Sequence, residues 1–265
     1  MATAEGGVPI WARPEPGSRR PRFTRAAIAG AALEIADREG FEAVSMRRVA
    51  AELGAGTMSL YHYVRTKADL VALMDDALMT EALIPEPELA GGWRAALTQV
   101  ARRTRAMLLR HPWALGAFQE SQFGPNAMRH FEQSLAAVAD TGLEPRARLE
   151  LLALVDDYVF GSALHAVESL RRAALARADP DSVRRAVEFG IAQMRSGAFP
   201  QIEALAIGGD PGAGAAVGPP MDAESIEAQF ERGLDSVLDG AALRMGLAGP
   251  VPPAPPAEPS LAPTG

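Results

Sequence analysis

The chain has 265 residues, of which 48% are apolar, which suits one or two folded domains and excludes a largely disordered protein. Its net charge of −7 at pH 7 excludes indiscriminate nucleic-acid binding over the whole surface, and the lack of cysteine excludes disulfides and thiolate metal sites. Neither a signal-peptide-like N-terminal run nor an apolar stretch of about 18 residues is present, so we expect a cytoplasmic protein without a membrane span.

Alanine and leucine dominate the sequence, and no run of β-branched residues has a period of two. This composition predicts an all-α fold. Residues 1–20 lack hydrophobic periodicity and contain several glycines and prolines, so we expect a disordered basic arm there. The arginines around its end either touch DNA phosphate or the minor groove, or form a solvated basic tail. They are Arg19, Arg20, Arg22 and Arg25.

The first predicted helix begins at Thr24, a favourable N-cap residue, and ends at Gly40. Its apolar residues recur at helical spacing and form the predicted buried stripe: Ile28, Ala32, Ile35 and Ala36. Phe41 and Val44 follow, and we expect them to complete the core of a small helical domain.

Two short helices with a glycine turn between them come next. The first is predicted from Ser45 to Leu53, and the second from about Thr57 to Tyr63. Gly54 lies between them, where a helix can stop in the left-handed conformation. Two helices joined in this way form a helix-turn-helix, whose second helix enters the major groove of DNA.

A fourth helix is predicted to begin at Thr66, because residues 66–69 have the Ser/Thr-x-x-Asp/Glu form of a capping box. Lys67 lies in its first turn, where free backbone N–H groups attract a phosphate. The helix is amphipathic and ends before Pro85, so we expect a domain boundary at 85–92.

Prolines and glycines divide the remainder of the chain into further helices. They are predicted at 93–110, 113–123, 126–140, 145–178, 181–196 and 222–245, with a loop at 206–220 and a disordered tail at 247–265. The helix at 145–178 is apolar on more than one face and must bury more than one face. One hypothesis places it, with the last helix, in a four-helix bundle between two subunits. The alternative is that both apolar stripes close one monomeric core.

Three short motifs mark the helix-turn-helix: Ser-Met-Arg-Arg-Val-Ala at 45–50, Leu-Gly at 53–54, and Leu-Tyr-x-Tyr-Val-x-x-Lys-x-x-Leu at 60–70. Together they resemble the N-terminal domain of the tetracycline-repressor (TetR) family of bacterial regulators. The segment FERGLDSVLDG at 230–240 resembles the last helix of the family branch with a tetracycline-repressor-type C-terminal domain.

The resemblance implies a DNA-binding domain at 22–84, with its helix-turn-helix at 45–64, and an effector-binding and dimerisation domain at 92–246. The charge distribution agrees with this division. Residues 19–69 hold nine basic and six acidic residues, which leaves 17 basic and 27 acidic residues elsewhere. A basic module on an acidic body is typical of a DNA-binding protein with a second function.

Side chains on and beside the second short helix are the predicted DNA contacts. The base-edge candidates are Arg47, Thr57, Met58 and His62, and the phosphate candidates are Ser59, Tyr61, Tyr63 and Lys67. Arg48 is a further candidate, although the resemblance favours Arg47. For either arginine the alternative is a solvated charge on the helix surface. Tyr63 stands where the family commonly has histidine.

The resemblance also implies an effector pocket among the fifth to eighth helices. Its predicted lining residues are Met107, Trp113, Phe118, Phe123, Phe131, Tyr158 and His165, each of which has a core or surface position as its alternative. Histidines lack metal-ligand spacing and no glycine-rich phosphate loop occurs, so we predict neither metal nor cofactor. Phe118 and Gly124-Pro125 replace the metal-organising His and the Arg-Pro of the founding tetracycline repressors, so we do not predict tetracycline–magnesium recognition.

These features predict a ligand-responsive transcriptional regulator rather than an enzyme. The favoured hypothesis is a homodimeric repressor that a small apolar effector releases from a palindromic double-stranded DNA operator. The alternative is a helical small-molecule-binding protein or enzyme whose N-terminal domain is only structural.

Overall fold

The computed structural model describes residues 8–15, 23–117, 123–207 and 222–247. Over these residues the chain forms α-helices and short 3-10 turns without a strand, which confirms the all-α prediction. The α-helices are α1 (Arg25–Glu39), α2 (Met46–Glu52), α3 (Thr57–Tyr61), α4 (Lys67–Ala82), α5 (Trp93–Arg110), α6 (Ala114–Ala117), α7 (Pro125–Ala137), α8 (Pro145–Ala178), α9 (Pro180–Met194), α10 (Pro200–Ile207) and α11 (Ala223–Met245). None of these described helices is long and apolar enough to cross a membrane.

The start signals of the N-terminal helices are confirmed. Thr24 and Ser45 each accept a hydrogen bond from the backbone N–H three residues later, which satisfies a free donor of α1 and α2. At α4, Asp69 N–H donates to the Thr66 hydroxyl over 3.0 Å, and Thr66 N–H donates back to the Asp69 carboxylate over 3.2 Å. Gly54, between α2 and α3, has a φ of +61°, the left-handed conformation that the predicted turn requires.

Buried apolar side chains form two clusters. The N-terminal core joins α1, α2, α3 and the first half of α4, and it includes Ile28, Ile35, Val49, Leu60, Leu70 and Met74. The C-terminal core joins the second half of α4 with α5, α8 and α11, and it includes Leu78, Leu97, Leu108, Leu151, Val155, Phe230 and Leu234. Because α4 contributes side chains to both cores, it is a continuous mechanical link between them.

Residues 8–15 differ from the disordered arm that we expected for 1–20. Ile10 is fully buried in the N-terminal core, within a 3-10 turn. Arg25 donates to the carbonyl oxygens of Ile10 and Arg13, each over 2.9 Å, and Arg13 also pairs with Asp69 at the start of α4. We call residues 8–15 the N-terminal strap. The rest of the predicted arm, and the predicted tail from 248 onward, lie outside the described residues.

Several predicted helix limits need correction. Helix α3 ends at Tyr61 instead of Tyr63, because the N–H groups of Tyr63 and Val64 both bond to the Leu60 carbonyl and tighten the turn. Helix α7 ends at Ala137 and a 3-10 turn follows at Ala139–Thr141. Of the helix predicted at 113–123, the structure describes α6 alone, since 118–122 are outside the described residues. Helix α10 was not predicted.

The two apolar stripes of the C-terminal half have different roles. The stripe of α11 packs on α8 of the same chain, with Phe230, Leu234 and Leu238 buried. The burial of these three residues agrees with the monomeric-core alternative for that part of α11. This alternative does not account for six large apolar side chains of α8 that are exposed. We call the four nearest the start of this helix the outer face of α8: Leu149, Leu154, Phe160 and Leu164.

Candidate nucleic-acid interface and effector domain

Helix α3 presents one face to the interior and the other to solvent. Leu60 and, after the helix, Val64 are fully buried in the N-terminal core. On the opposite face Met58 is 76% exposed and Tyr61 is 43% exposed. His62 is exposed, whereas Thr57 and Ser59 are half-buried. The outward face therefore offers a sulfur-containing apolar side chain, a hydroxyl and an imidazole to a partner surface.

Tyr63 is placed differently from its neighbours. Its side chain is half-buried and packs against the N-terminal core. The aromatic ring therefore supports the end of α3, and only part of the residue remains accessible.

The two adjacent arginines of α2 have different surroundings. Arg47 is exposed and forms no ion pair with any residue that the structure describes. Arg48 instead bridges Glu39 and Glu52, with nitrogen–oxygen distances of 2.7 Å to each. These hydrogen bonds raise the pKa of Arg48 and lower the pKa of both carboxyl groups. The geometry favours Arg47 as the free cation, since Arg48 ties α2 to the end of α1.

Lys67 is the first residue of α4, as predicted, and its side chain is exposed. Its Nζ lies 5.5 Å from the centroid of the Phe41 ring, a cation–π distance. The ammonium group thus belongs to the first turn of α4, where backbone N–H groups lack a helical acceptor. A phosphate oxygen at this position would be favoured by both.

Trp113, a predicted pocket residue, lies between the two cores and packs against both. Its Nε1 donates to Asp37 Oδ1 over 2.7 Å, and its ring stacks on Phe41 with centroids 5.7 Å apart. The Nδ1 of buried His111 lies 2.7 Å from the same Asp37 oxygen, and its Nε2 lies 3.2 Å from Glu81 Oε1. His111 and Trp113 contact α1 and α4 because both lie in the turn after α5, which directs their side chains toward these helices. We call these five residues the interdomain junction.

The described residues among the other predicted pocket residues are not brought into one site. Met107 is buried in the C-terminal core, and His165 is exposed on α8. Phe123 and Phe131 form an edge-to-face pair 6.2 Å apart near the start of α7, but both are exposed. Tyr158 stacks on Phe230 of α11, with ring centroids 5.7 Å apart. Phe118 lies outside the described residues.

Two polar residues of α5 were missed by the sequence reasoning. Thr104 is buried, and its hydroxyl lies 3.2 Å from the imidazole of His130, whose pKa is lowered by burial. Arg105 is buried beside Glu227 and the Phe230 ring. A signal for Arg105 did exist, because a charged residue four positions after Ala101 lies on the same apolar helix face.

Of two adjacent aspartates on α4, Asp76 reaches α7. The Asp76 carboxylate accepts hydrogen bonds from the backbone N–H groups of Asn126 over 2.7 Å and Ala127 over 3.1 Å. A side chain of one helix thereby caps the start of another. Burial, together with the charge of Asp76, raises the pKa of Asp75 to about 6. Among the described residues no group of His, Asp and Glu side chains has the arrangement of a metal site.

Helix α3 faces outward from the N-terminal core, and α4 continues from this core into a larger helical domain. This arrangement defines a helix-turn-helix DNA-binding protein with a second domain. Comparison with protein families agrees. Residues 28–74 match the family described as bacterial regulatory proteins, tetR family, and residues 84–245 match the tetracyclin repressor-like, C-terminal domain. The chain belongs to the TetR family of DNA-binding transcriptional regulators. The predicted family, fold class and regulatory function are therefore confirmed.

Individual relatives point the same way. The HTH-type transcriptional repressor DrrR1 of Streptomyces coeruleorubidus is 38% identical over 232 residues, covering 86% of this chain and 80% of DrrR1. An HTH-type transcriptional regulator of Saccharopolyspora erythraea is 33% identical over 249 residues, covering 93% of this chain and 97% of the relative. The structure of ActR from Streptomyces coelicolor in complex with actinorhodin is 28% identical, with a TM-score of 0.62, covering 84% of this chain and 97% of ActR.

Proposed function

We propose that this protein is a homodimeric repressor, without enzymatic activity, that a small organic effector releases from a palindromic operator. The observation that carries the proposal is the pairing of an outward-facing α3 with an α4 shared by both cores. The names of relatives support it, because DrrR1 is described as a repressor and ActR was solved with the small molecules actinorhodin and (S)-DNPA. A regulator of this kind acts where the chromosome is, in the bacterial cytoplasm.

The proposed DNA contacts divide by chemistry. Arg47, Thr57, Met58 and His62 would read base edges, with Met58 against a thymine methyl group. Ser59, Tyr61, Tyr63 and Lys67 would hold phosphates and so set the register of α3 in the major groove. Arg48 is the weakest of the predicted contacts, because a phosphate would have to displace Glu39 and Glu52.

Dimerisation is proposed to use the outer face of α8. Single exposed leucines are normal on a protein surface, whereas a larger exposed apolar patch marks an interaction site. The outer face of α8 is a patch of the second kind, because its large apolar side chains lie along one helix. Two copies that pack together through this face would form a dimer, which presents one α3 helix to each of two operator half-sites. The C-terminal domain would thus determine the spacing at which the N-terminal domains bind.

Effector release is proposed to run through α4 and the interdomain junction. Helix α4 joins the two cores because it contributes side chains to both. The interdomain junction joins them through the hydrogen bonds between Asp37, His111 and Trp113. A ligand shifts the DNA-binding equilibrium only by the difference between its affinities for the two conformations. An effector that binds the C-terminal core best after α4 has moved would separate the two α3 helices.

Footprinting on the promoter nearest to the protein's own gene tests the proposal directly. We expect protection of two half-sites related by two-fold symmetry, with centres about one helical turn apart or a multiple of it. Titration of candidate effectors should then weaken the protected complex. Absence of any specific operator, together with chemical turnover of a small molecule, would favour the alternative of an enzyme with a structural N-terminal domain.

A further inference from the structure

Arg105 occupies an unusual position for a charged residue. It lies on α5 between α8 and α11, and its side chain is only 4% exposed. Its guanidinium carbon lies 4.3 Å from the centroid of the Phe230 ring, which in turn stacks on Tyr158. Taking a guanidinium out of water is costly unless its N–H groups find acceptors.

The acceptors present satisfy only one side of this guanidinium. Its Nη1 pairs with Glu227, whose side chain is 55% exposed at the edge of the protein. Its Nε and Nη2 are both buried and have no hydrogen-bond partner among the residues that the structure describes. These two nitrogens share one edge of the planar group, and their N–H bonds run parallel in the spacing of two carboxylate oxygens.

Arg102, one turn earlier on α5, has the same edge filled. Its Nε donates to one oxygen of Glu231 over 2.8 Å, and its Nη2 donates to the other oxygen over 2.7 Å. The same donor pair therefore takes a carboxylate at position 102 and is empty at position 105. The difference is burial, since Arg102 is exposed and Arg105 is not.

We propose that the Nε and Nη2 edge of Arg105 binds the carboxylate of an organic acid, which is the effector class of this regulator. The inference rests on the proposed effector role of the C-terminal domain. The surroundings specify the rest of the molecule: because the Phe230 ring and the apolar C-terminal core lie beside the guanidinium, the body of the acid would be hydrophobic. Of these two arginines, Arg102 is already paired with Glu231, and only the edge of Arg105 has no acceptor among the described residues. A monocarboxylate matches this single edge.

Isothermal titration calorimetry on the full chain without DNA tests the proposal. The probes are 2-naphthoate, its neutral partner 2-naphthamide, and inorganic phosphate. We expect naphthoate to bind about tenfold or more tightly than naphthamide, the ratio that hydrogen bonds to a charged group typically give. Phosphate should not bind, because it lacks the hydrophobic body.

Variants assign the preference to Arg105. Arg105→Gln should abolish the preference of naphthoate over naphthamide, whereas Arg102→Gln should leave the ratio unchanged. Glu227→Gln should strengthen naphthoate binding and not naphthamide binding, because it removes a negative charge that competes for the same guanidinium. If Arg105 served only as the partner of Glu227, this last variant would not alter the ratio.

Several outcomes would overturn the proposal. They are equal binding of acid and amide by the wild type, binding of neither, phosphate binding as tight as naphthoate, or an acid preference that survives in a folded Arg105→Gln protein. An ordered water that satisfies both donors would give the first or second of these. Since the wild-type comparison needs no variant and no DNA, its failure is distinct from failure to find an operator.

Discussion

Arg47 and Arg48 are neighbours in the sequence, yet only their surroundings in the fold separate them. Sequence reasoning found both as cationic residues at the start of a helix. Glu39 and Glu52 neutralise Arg48, and Glu39 is nine residues away at the end of another helix. Sequence spacing within α2 predicts the Glu52 pair but not the Glu39 pair. The distinction between Arg47 and Arg48 therefore depends on how α2 packs against the end of α1, which brings Glu39 to Arg48.

Replacement of Lys67 by alanine removes one phosphate contact from the proposed interface. We expect Lys67→Ala to weaken binding to every DNA sequence by a similar factor and to reduce the salt dependence of log K by about one unit. Fluorescence anisotropy with operator and unrelated duplexes across a series of salt concentrations measures both quantities.

Arg47→Ala is the matched comparison, because Arg47 is proposed to read a base. It should reduce operator binding by about 1–3 kcal/mol while leaving the unrelated duplex less affected. A loss in Lys67→Ala that is confined to one base position would contradict the phosphate assignment.

Asp75 should make the stability of the protein depend on pH. Its folded pKa of about 6 exceeds the value of about 3.9 for an unfolded chain. Between these values the folded chain keeps a proton that the unfolded chain releases, so stability falls as pH rises through this window. We expect Asp75→Asn to resemble the wild type near pH 4 and to be more stable by about 1–2 kcal/mol at pH 8, after a discount for solvent screening.

Urea unfolding at intervals from pH 4 to pH 8 checks this prediction. The control is Asp140→Asn, which removes an exposed carboxyl group in the 3-10 turn after α7. The control should show a constant difference from the wild type. A constant difference for Asp75→Asn as well would mean that its carboxyl titrates normally in the folded protein.

Helices α4 and α7 are joined by a contact that leaves no room at Gly124. A Cβ atom at Gly124 would lie 2.7 Å from the Asp76 Cβ and closer still to its carboxyl group. Because Asp76 caps α7 from α4, it cannot move away without releasing the N–H groups of Asn126 and Ala127. The glycine is required by this close approach and not by a positive φ.

Gly124→Ala should therefore lower the free energy of unfolding by about 1–3 kcal/mol, as overpacking of a filled site does. Thermal unfolding followed by circular dichroism measures the change. Gly116→Ala is the control on α6, because its new Cβ would meet no atom of the described residues within 4 Å. It should be neutral or slightly stabilising, since alanine is favoured over glycine in a helix. Equal melting temperatures for the two variants would contradict the proposed clash.

Most helices could be predicted from the sequence because their start and stop signals are local. The capping residues Thr24, Ser45 and Thr66, and the proline and glycine breaks later in the chain, lie within a few residues of the helices they limit. The outward face of α3 followed from the same local periodicity. The contacts of the aromatic residues in the C-terminal half did not, because aromatic residues of a helical protein are apolar wherever they point. Trp113 is an example, since its contact partner Asp37 is 76 residues away.

We propose that the protein functions as a homodimer, so its oligomeric state in solution tests the proposal. Leu164 is 53% exposed on the outer face of α8. A charge there would be buried between two copies of the helix, which is costly without a partner. We expect Leu164→Glu to sediment as a monomer and to bind a two-half-site operator about 100-fold or more weakly, because the two N-terminal domains then bind separately.

Met128→Glu provides the comparison, since Met128 is 62% exposed on α7. Analytical ultracentrifugation should show this variant as a dimer, like the wild type. A wild-type protein that is monomeric at micromolar concentration, or a Leu164→Glu protein that remains dimeric, would contradict the use of this face.

The N-terminal strap affects how the DNA-binding half can be isolated. The predicted domain starts at residue 22 and the family match at residue 28, yet Ile10 fills the interior of that domain and Arg13 pairs with Asp69. A fragment trimmed to either limit would lose an apolar plug and expose the carboxylate of its fourth helix. Expression of this half on its own should therefore retain everything from Val8 onward, and an affinity tag placed directly before Phe23 would replace the strap by unrelated sequence.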